Sequence, residues 1–436
     1  MKFCNLKECK ANPFFMYKTT LFSTLCFLFW MNFVSAQLKI DAEVRPRFEF
    51  RHGFQTLFPD NVDAGTFVSQ RTRLNTGLKM EKLNFYISVQ DIRVWGDVPQ
   101  LNTADNNGFS LHQAWGELLF SPEVTLKLGR QVLNYDDQRI FGGVAWAQQA
   151  RSHDVALFKY TKDSFVFHLG AGFNQNGEAL TGTTLTVPRT YKSIQFAWLH
   201  KDWEHISGSL LFLNNGLQFI DDTNADNNEI RYSQTVGSHL KYNQDRLDLV
   251  SNLYYQFGKD VNDNDIGAYL LGLEGSYKAT EQWRVLVGGE LQSGNDNGAP
   301  SGGENDAFTP FYGTNHKFNG LMDYFFVGNH INNVGLFDVY LGSVVKTTEK
   351  SNLNIRLHNF SAAADLPAGD SKQLGTELDL VYSYDFVKYV NIKLGYSHLF
   401  ASEGMEILKN NFDDNTNYWA WAMITIKPTL FTTPIN

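Results

Sequence analysis

The sequence predicts an all-β protein: a transmembrane antiparallel up-and-down β-barrel of about eighteen strands, preceded by a cleaved signal peptide. Three observations carry this. Residues 38–51 alternate without interruption between apolar and charged side chains. Strand-like runs of about ten residues recur to the end of the chain, separated alternately by short and long connections. The only long apolar run lies at the N-terminus.

In the first strand Leu38, Ile40, Ala42, Val44, Pro46, Phe48 and Phe50 fall on one face, and Lys39, Asp41, Glu43, Arg45, Arg47, Glu49 and Arg51 on the other. Successive side chains of a strand point to opposite sides, so this strand has one oily face and one ionic face. Lipid outside and water inside a barrel require that combination. A chain of 436 residues with 43% hydrophobic content and a mean hydropathy of −0.29 is too polar for a bundle of membrane helices. It suits a barrel, in which alternate residues alone need be apolar. No linker-like stretch divides the chain, so one large unit is expected.

Thr19 to Ala36 follows Lys18 and ends Val34-Ser35-Ala36, the pattern of a secretory signal cut before Gln37. Residues 1–36 are therefore read as the signal, with 1–15 as a possible extension of it upstream of Met16, and 37–436 as the barrel. Cys4, Cys9 and Cys26 all lie in the signal, so the mature chain is expected to carry no thiol chemistry. Its loss removes four lysines and one glutamate and takes the net charge from −9 to −12, which argues against nucleic acid as a partner.

Expected strands are 38–52, 66–80, 83–95, 109–120, 124–134, 154–160, 165–173, 190–200, 204–213, 231–243, 246–258, 266–278, 282–293, 333–346, 351–360, 373–384, 389–400 and 417–427. An even number puts both termini in the periplasm. Alternation is clear in 246–258, 351–360 and 389–400. It is weak in 165–173 and 204–213. In 83–95 the apolar parity of Leu83, Phe85, Ile87 and Val89 runs into Asp91 and Arg93, which implies a β-bulge near Gln90 or a strand top standing above the lipid. Tyr160, Tyr242, Tyr277, Trp283, Tyr389 and Phe400, at strand ends, suit aromatic girdles at the two interfaces. Tyr418 to Lys427 reads as a closing strand of the kind that outer-membrane assembly machinery engages.

The stretch Leu128 to Arg139, with Gly129-Arg130-Gln131 and Asp137-Gln138-Arg139, continuing to Gly142-Gly143-Val144, Trp146, Gln148, Arg151 and Asp154, resembles the core motif of the alginate export family. Gly313 to Phe325 resembles that family's second signature, and Arg71-Thr72-Arg73-Leu74 a third. The resemblance implies an eighteen-stranded outer-membrane channel that passes an anionic polysaccharide through an arginine-lined constriction. It assigns Arg130, Arg139 and Arg151 to that lining, with Asp137 and Asp154 as acidic partners that orient them.

Strand parity independently places Arg45, Arg47, Arg51, Arg71, Arg73, Arg284, Arg356 and Lys393 toward the lumen, interspersed with Asp41, Glu43, Glu49, Asp248, Glu290, Glu377 and Asp379, and Arg93 is grouped with these cations. Such a ladder can hand a carboxylated polymer or a small organic anion along, since guanidinium groups hold carboxylates bidentately and keep their charge. The competing reading is an ion-pair network that braces the wall. A general diffusion pore of little selectivity is the alternative function. An enzyme is disfavoured because Ser152-His153, Ser238-His239 and Ser397-His398 are strand neighbours pointing to opposite faces, and no histidine cluster has zinc-like spacing. No cofactor is expected; the expected partners are membrane lipid, lipopolysaccharide, assembly machinery and the anionic solute. The connection 295–332 is too long for a passive loop. Its aromatic part, with His316, Lys317 and Asp323, is expected to fold inward or form a lid, and its Asn/Gly-rich part before residue 307 to be a disordered outer loop.

Overall fold

The computed structural model describes residues 36–101, 108–188, 190–367 and 371–433; apart from Ala36, the expected signal lies outside the described residues. The strands are β1 (Gln37–His52), β2 (Gly65–Lys79), β3 (Leu83–Val94), β4 (Ser110–Leu119), β5 (Val124–Gln131), β6 (His153–Lys162), β7 (Phe165–Phe173), β8 (Ser193–Asp202), β9 (Ile206–Phe219), β10 (Glu229–Gln244), β11 (Leu247–Lys259), β12 (Asp265–Lys278), β13 (Trp283–Gln292), the two-residue β14 (Glu304–Asn305), β15 (Leu336–Thr348), β16 (Ser351–Ser361), β17 (Gln373–Val387), β18 (Val390–Ala401), β19 (Asn417–Ile426) and β20 (Thr429–Thr432). Among the described residues one α-helix, α1 (Glu403–Lys409), precedes β19.

Eighteen of these strands form a closed antiparallel barrel, each paired with its neighbour in sequence apart from the excursion through β14. β1 pairs with β2 from Gln37↔Lys79 to Arg51↔Gly65, and with β19 from Val44↔Ile426 to His52↔Tyr418. The second pairing shuts the sheet. An open edge in hydrocarbon would leave N–H and C=O groups with no partner. Pro428, which has no N–H to give, interrupts the closing strand, and β20 then resumes pairing with β1 at Lys39–Asp41. Both ends of the barrel therefore lie side by side at the short-turn end.

The short connections are tight turns, with some strands running further into them than expected. Asp245-Arg246 and Lys388-Tyr389, for instance, join their strands with two residues each. The long connections gather at the opposite end. One of them is shorter than expected: β9 runs on to Phe219 and pairs with β10 down to Glu229, so residues 214–219 are strand rather than loop.

The parity read from the sequence holds on the outer wall. Leu249, Leu253, Tyr255, Leu357, Leu394 and Tyr396 are exposed, whereas Glu43, Arg45, Arg47, Glu49, Asn252, Gln256 and His358 are buried inside. The weak alternation of β7 and β9 has a physical cause. In β9 the inner face is apolar too, with Leu211 and Leu213 buried in the lumen while Leu210 and Phe212 face out, and in β7 Gly170 and Gly172 face inward, covered by Phe196 and Ile194. The bulge falls between Ser88 and Val89 of β3, where β4 carries the extra residue His112.

Candidate functional site

Two connections fold into the lumen and dock on that inner apolar surface. Leu133, Tyr135, Ile140 and Phe141 of the 132–152 loop pack with Val155, Ile194, Phe196, Leu211 and Leu213 of the wall, joined by Phe308 of the 293–335 loop. Met322, Tyr324 and Phe325 of the second loop pack with Phe54, Phe360, Leu399, Trp419 and Trp421. Interior apolar patches of this kind are unexpected in a solvent-lined pore, and they exist because the loops cover them.

Hydrogen bonds fix the first loop to the wall. Arg45 donates from Nη1 to the Ala145 carbonyl (2.8 Å), from Nη2 to the carbonyls of Trp146 (3.1 Å) and Ala147 (3.3 Å), and from Nε and Nη2 to Oε1 of Gln148 (3.1 and 2.9 Å). Arg47 donates to the Trp146 carbonyl (2.8 Å) and lies over its ring at 4.0 Å. Arg71 donates to the Gln148 carbonyl (3.2 Å) and pairs with Glu43. Arg73 bonds Oε1 of Gln90, whose amide reaches the Gln149 carbonyl at 3.0 Å. These arginines do point inward, but their donors are occupied by loop carbonyls, glutamine side chains and wall carboxylates. The bracing reading describes them better than a free ladder.

The residues assigned by motif divide. Arg139 is buried in the lumen, pairs with Glu290 of β13, donates to Oδ1 of Asn319 (3.0 Å) and lies 4.5 Å from the Phe318 ring. Asp137 accepts from Nδ2 of Asn252 (2.6 Å) and from the Arg139 backbone N–H (3.1 Å), so it orients that residue's backbone rather than its guanidinium. Arg130 and Asp154 do pair, at 2.7 Å, and line a cavity with Arg151, His153 and Tyr312, although strand parity sets them on the outer face. Each is one residue out of phase with inward Gln131 and His153, which directly oppose one another across β5 and β6. Arg93 is likewise out of phase with inward Gln90 and makes a two-bond pair with Asp91 on the outer parity. Strand phase thus separates these three from the row of Arg45, Arg47 and Arg71, although Arg93 still lines a cavity with Arg47, Glu49 and Trp146, and Arg93 with Asp91 fits a strand top above the lipid. Arg151 donates to the Gly313 carbonyl at 3.1 Å, tying the two loops together.

The Asn/Gly-rich part of the second loop, expected to be a disordered outer loop, is packed against its neighbours. Asn295 and Asn305 are buried and bonded to one another at 3.0 Å, and Asn305 donates to Asp260 at 3.0 Å. His316 stacks on Trp146 at 4.6 Å and bonds Asp323 at 2.8 Å. The Met322 N–H donates to Glu377 (2.9 Å) and the Leu321 N–H to Asp379 (3.2 Å). Gly320, at φ +83°, lies so close to Glu377 that a Cβ there would be 2.7 Å from its carboxyl group. Only glycine fits both the conformation and the space.

His330 secures the base of this loop, with Nε2 bonded to the Gly335 carbonyl at 2.9 Å and the Phe325 ring edge-on to it. Burial, and secondarily the Lys409 ammonium, lowers its pKa from 6.5 to about 4. An undocked imidazole takes up a proton near pH 6.5, while the docked one stays neutral down to about 4. Docking is thus at full strength above that upper value and weakens as the pH falls through the window. Amide deuterium exchange across 323–335 should accelerate at pH 5 relative to pH 7, corrected for intrinsic rates, and His330→Phe should flatten that dependence.

Below the docked loops, toward the short-turn end, is a chamber of about 340 Å³. Its acids are all engaged. Asp136 accepts from Ser209 and Trp198, Asp137 from Asn252, Glu274 from Tyr340, Glu290 from Arg139 and Asn319, and Asp338 bonds His358 at 3.0 Å. Its cations are less fully engaged, Lys317 donating only to the Asp137 backbone carbonyl, at 2.8 Å. Lys241 and Lys317 have no carboxylate within ion-pair distance among the described residues, and Arg356 has only Glu274 at 3.6 Å. Tyr340 and Phe318 supply aromatic walls, with Arg356 5.4 Å from the Tyr340 ring. Lys241 is absent from the sequence-based candidates, although it shares the inward parity of His239 in β10. Lys393 also faces inward, opposite Met423.

The family model described as Alginate export matches residues 36–418. No curated protein matches the sequence significantly. Among solved structures, Acinetobacter baumannii OccAB4 is similar with a TM-score of 0.60 at 14% identity, over 91% of this chain and 98% of that one. Pseudomonas aeruginosa OccK5 (OpdH) has a TM-score of 0.58 at 10% identity, and P. aeruginosa OpdK crystallised with vanillate 0.58 at 12%, each over 90% of this chain and 98% of the other. At such identities the likeness is one of fold.

Proposed function

This chain belongs to the alginate export family and is an outer-membrane channel rather than an enzyme, and from that premise we propose that it passes carboxylate-bearing solutes, selected by the chamber of Lys241, Lys317 and Arg356. The observation that carries this is the imbalance of partners. The chamber's carboxylates already accept protein hydrogen bonds, whereas Lys241 and Lys317 have no carboxylate within ion-pair distance among the described residues, Lys317 donating only to the Asp137 carbonyl. A carboxylate meets Arg356 bidentately and the two lysines as point charges, while Tyr340 and Phe318 offer flat apolar surface to a sugar or aromatic ring. Weak contacts of this kind in series permit conduction. A uronate residue of a polysaccharide and a small organic acid both satisfy that chemistry. The vanillate bound to OpdK, a protein of similar fold, is an aromatic example of the second kind.

The test is the reversal potential of the purified protein in planar bilayers under a salt gradient. Anion selectivity is expected, weakening by roughly fivefold in the permeability ratio for each cation replaced, as a loss of about 1 kcal/mol per charge implies. Lys241→Gln with Lys317→Gln removes two. Five carboxylates line the chamber against three cations by formal count, so a bare count favours cations. A cation-selective wild-type current would overturn the proposal in favour of that reading.

A further inference from the structure

On the outer wall Ala171, Gln195, Asn214, Gln234 and Phe257 oppose one another across five successive strands, β7 to β11, and so form one row. The row faces lipid. Leu169, Phe212 and Val236, one pair below it, and Phe173 and Tyr232, one pair above, are exposed, whereas Leu213, Asn215, Ser233 and Thr235 on the other parity of β9 and β10 are buried inside. Three amides lie side by side in this row. Gln234 donates from Nε2 to Oδ1 of Asn214 (2.7 Å), Asn214 from Nδ2 to Oε1 of Gln195 (2.7 Å), and Gln195 from Nε2 to Oγ of Ser193 (2.6 Å). A side-chain amide nitrogen carries two N–H groups, so each of the three keeps one donor with no acceptor in hydrogen-bond distance among the described residues. In β10 Gln234 stands eight residues beyond Tyr242, which lies near the short-turn end. At 3.4 Å per residue and a tilt of about 40° that is about 20 Å up an apolar band about 25 Å tall. An N–H left alone in hydrocarbon is costly. At that depth lipid offers acceptors of one kind, the ester and amide carbonyls that join acyl chains to a headgroup.

We propose that Gln195, Asn214 and Gln234 bind the acyl-linkage carbonyls of lipopolysaccharide in the outer leaflet. One acyl chain runs down past Ala197, directly beneath Gln195, whose small side chain leaves a trough between its cross-strand neighbours Leu169 and Phe212. The three donors are spread over two strand spacings, about 10 Å. Several acyl linkages on one disaccharide headgroup cover that width, whereas the two of a glycerophospholipid leave a donor unfilled. The site uses no residue of the lumen and stands whether or not the chamber selects carboxylates.

Native mass spectrometry of the full protein, incubated in detergent with equal amounts of deep-rough lipopolysaccharide and phosphatidylglycerol, measures the retained lipid. Wild type is expected to keep lipopolysaccharide in preference by on the order of tenfold, the product of three modest hydrogen bonds. The triple variant Gln195→Leu, Asn214→Leu, Gln234→Leu should lose that preference. An excess of the fully deacylated lipopolysaccharide headgroup should displace nothing, since it keeps the phosphates and lacks the linkages. Equal retention by wild type, an undiminished preference in the leucine variant, or displacement by the deacylated headgroup overturns the assignment. A wild-type oligomer that falls apart in the leucine variant, with lipid retention unchanged, overturns it in favour of a second copy of this chain. If the triple variant fails to assemble, the three single leucine variants decide: each is expected to cut the preference about twofold, and an undiminished preference in all three overturns the proposal.

Discussion

Arg45→Met should open the pore. The guanidinium holds three consecutive loop carbonyls and Gln148 from inside the wall, and methionine keeps the stem while removing every donor. Each carbonyl left buried without a partner costs about 1–3 kcal/mol, more than loop packing at that point restores. The 145–148 segment is expected to leave the wall, and single-channel conductance to rise several-fold with increased noise. Arg45→Lys should give an intermediate conductance, since an ammonium reaches one or two of those carbonyls but cannot span them. An unchanged conductance in Arg45→Met would show that the segment does not narrow the conducting path.

Arg139→Met should be the most destabilising single change in the loops. It strands Glu290, which is buried on β13, and breaking a buried pair from one side costs about 3–5 kcal/mol. Glu290→Gln in the same chain should recover much of that loss, because the uncompensated charge is gone while Asn319 still bonds the side chain. A double-mutant cycle followed by amide exchange in 136–142 and 315–322 measures the coupling. If the double variant is as destabilised as the sum of the singles, the pair is not what holds the two loops together.

The cylinder was legible in the sequence because a two-sided environment acts on every second residue. β1, β11, β16 and β18 each carry the full signal within about a dozen residues. Where the inner face packs against a loop instead of solvent, as in β7 and β9, the rhythm fades for a reason that local sequence does not contain. The candidate site was readable only in part. The inward parity of Arg45, Arg47, Arg71, Arg73, Arg356 and Lys393 follows from strand register. What occupies the arginines does not, because Ala145, Trp146 and Gln148 come about a hundred residues after Arg45. Motif matching gave the identities of Arg139, Arg130 and Asp154 but not their phase, since a motif fixes identity and spacing whereas β5 and β6 set Arg130 and Asp154 one residue off the inward row of Gln131 and His153. Lys241 was passed over because a lone lysine on a strand signals nothing until its neighbours across the barrel are known.

The stitching of the interior also fixes an order of events during biogenesis. Arg139 meets Glu290, 151 residues onward, and Tyr324 bonds the Gly53 and Thr56 carbonyls, some 270 residues back, whereas hairpins such as β10–β11 need only a two-residue turn. Local pairings form early and distant ones late, when most of the chain's entropy has been spent. Trp146, which touches Arg47 of β1 and both Trp419 and Trp421 of β19, completes its contacts only once those two strands have met, so the inner lining is finished last at that seam.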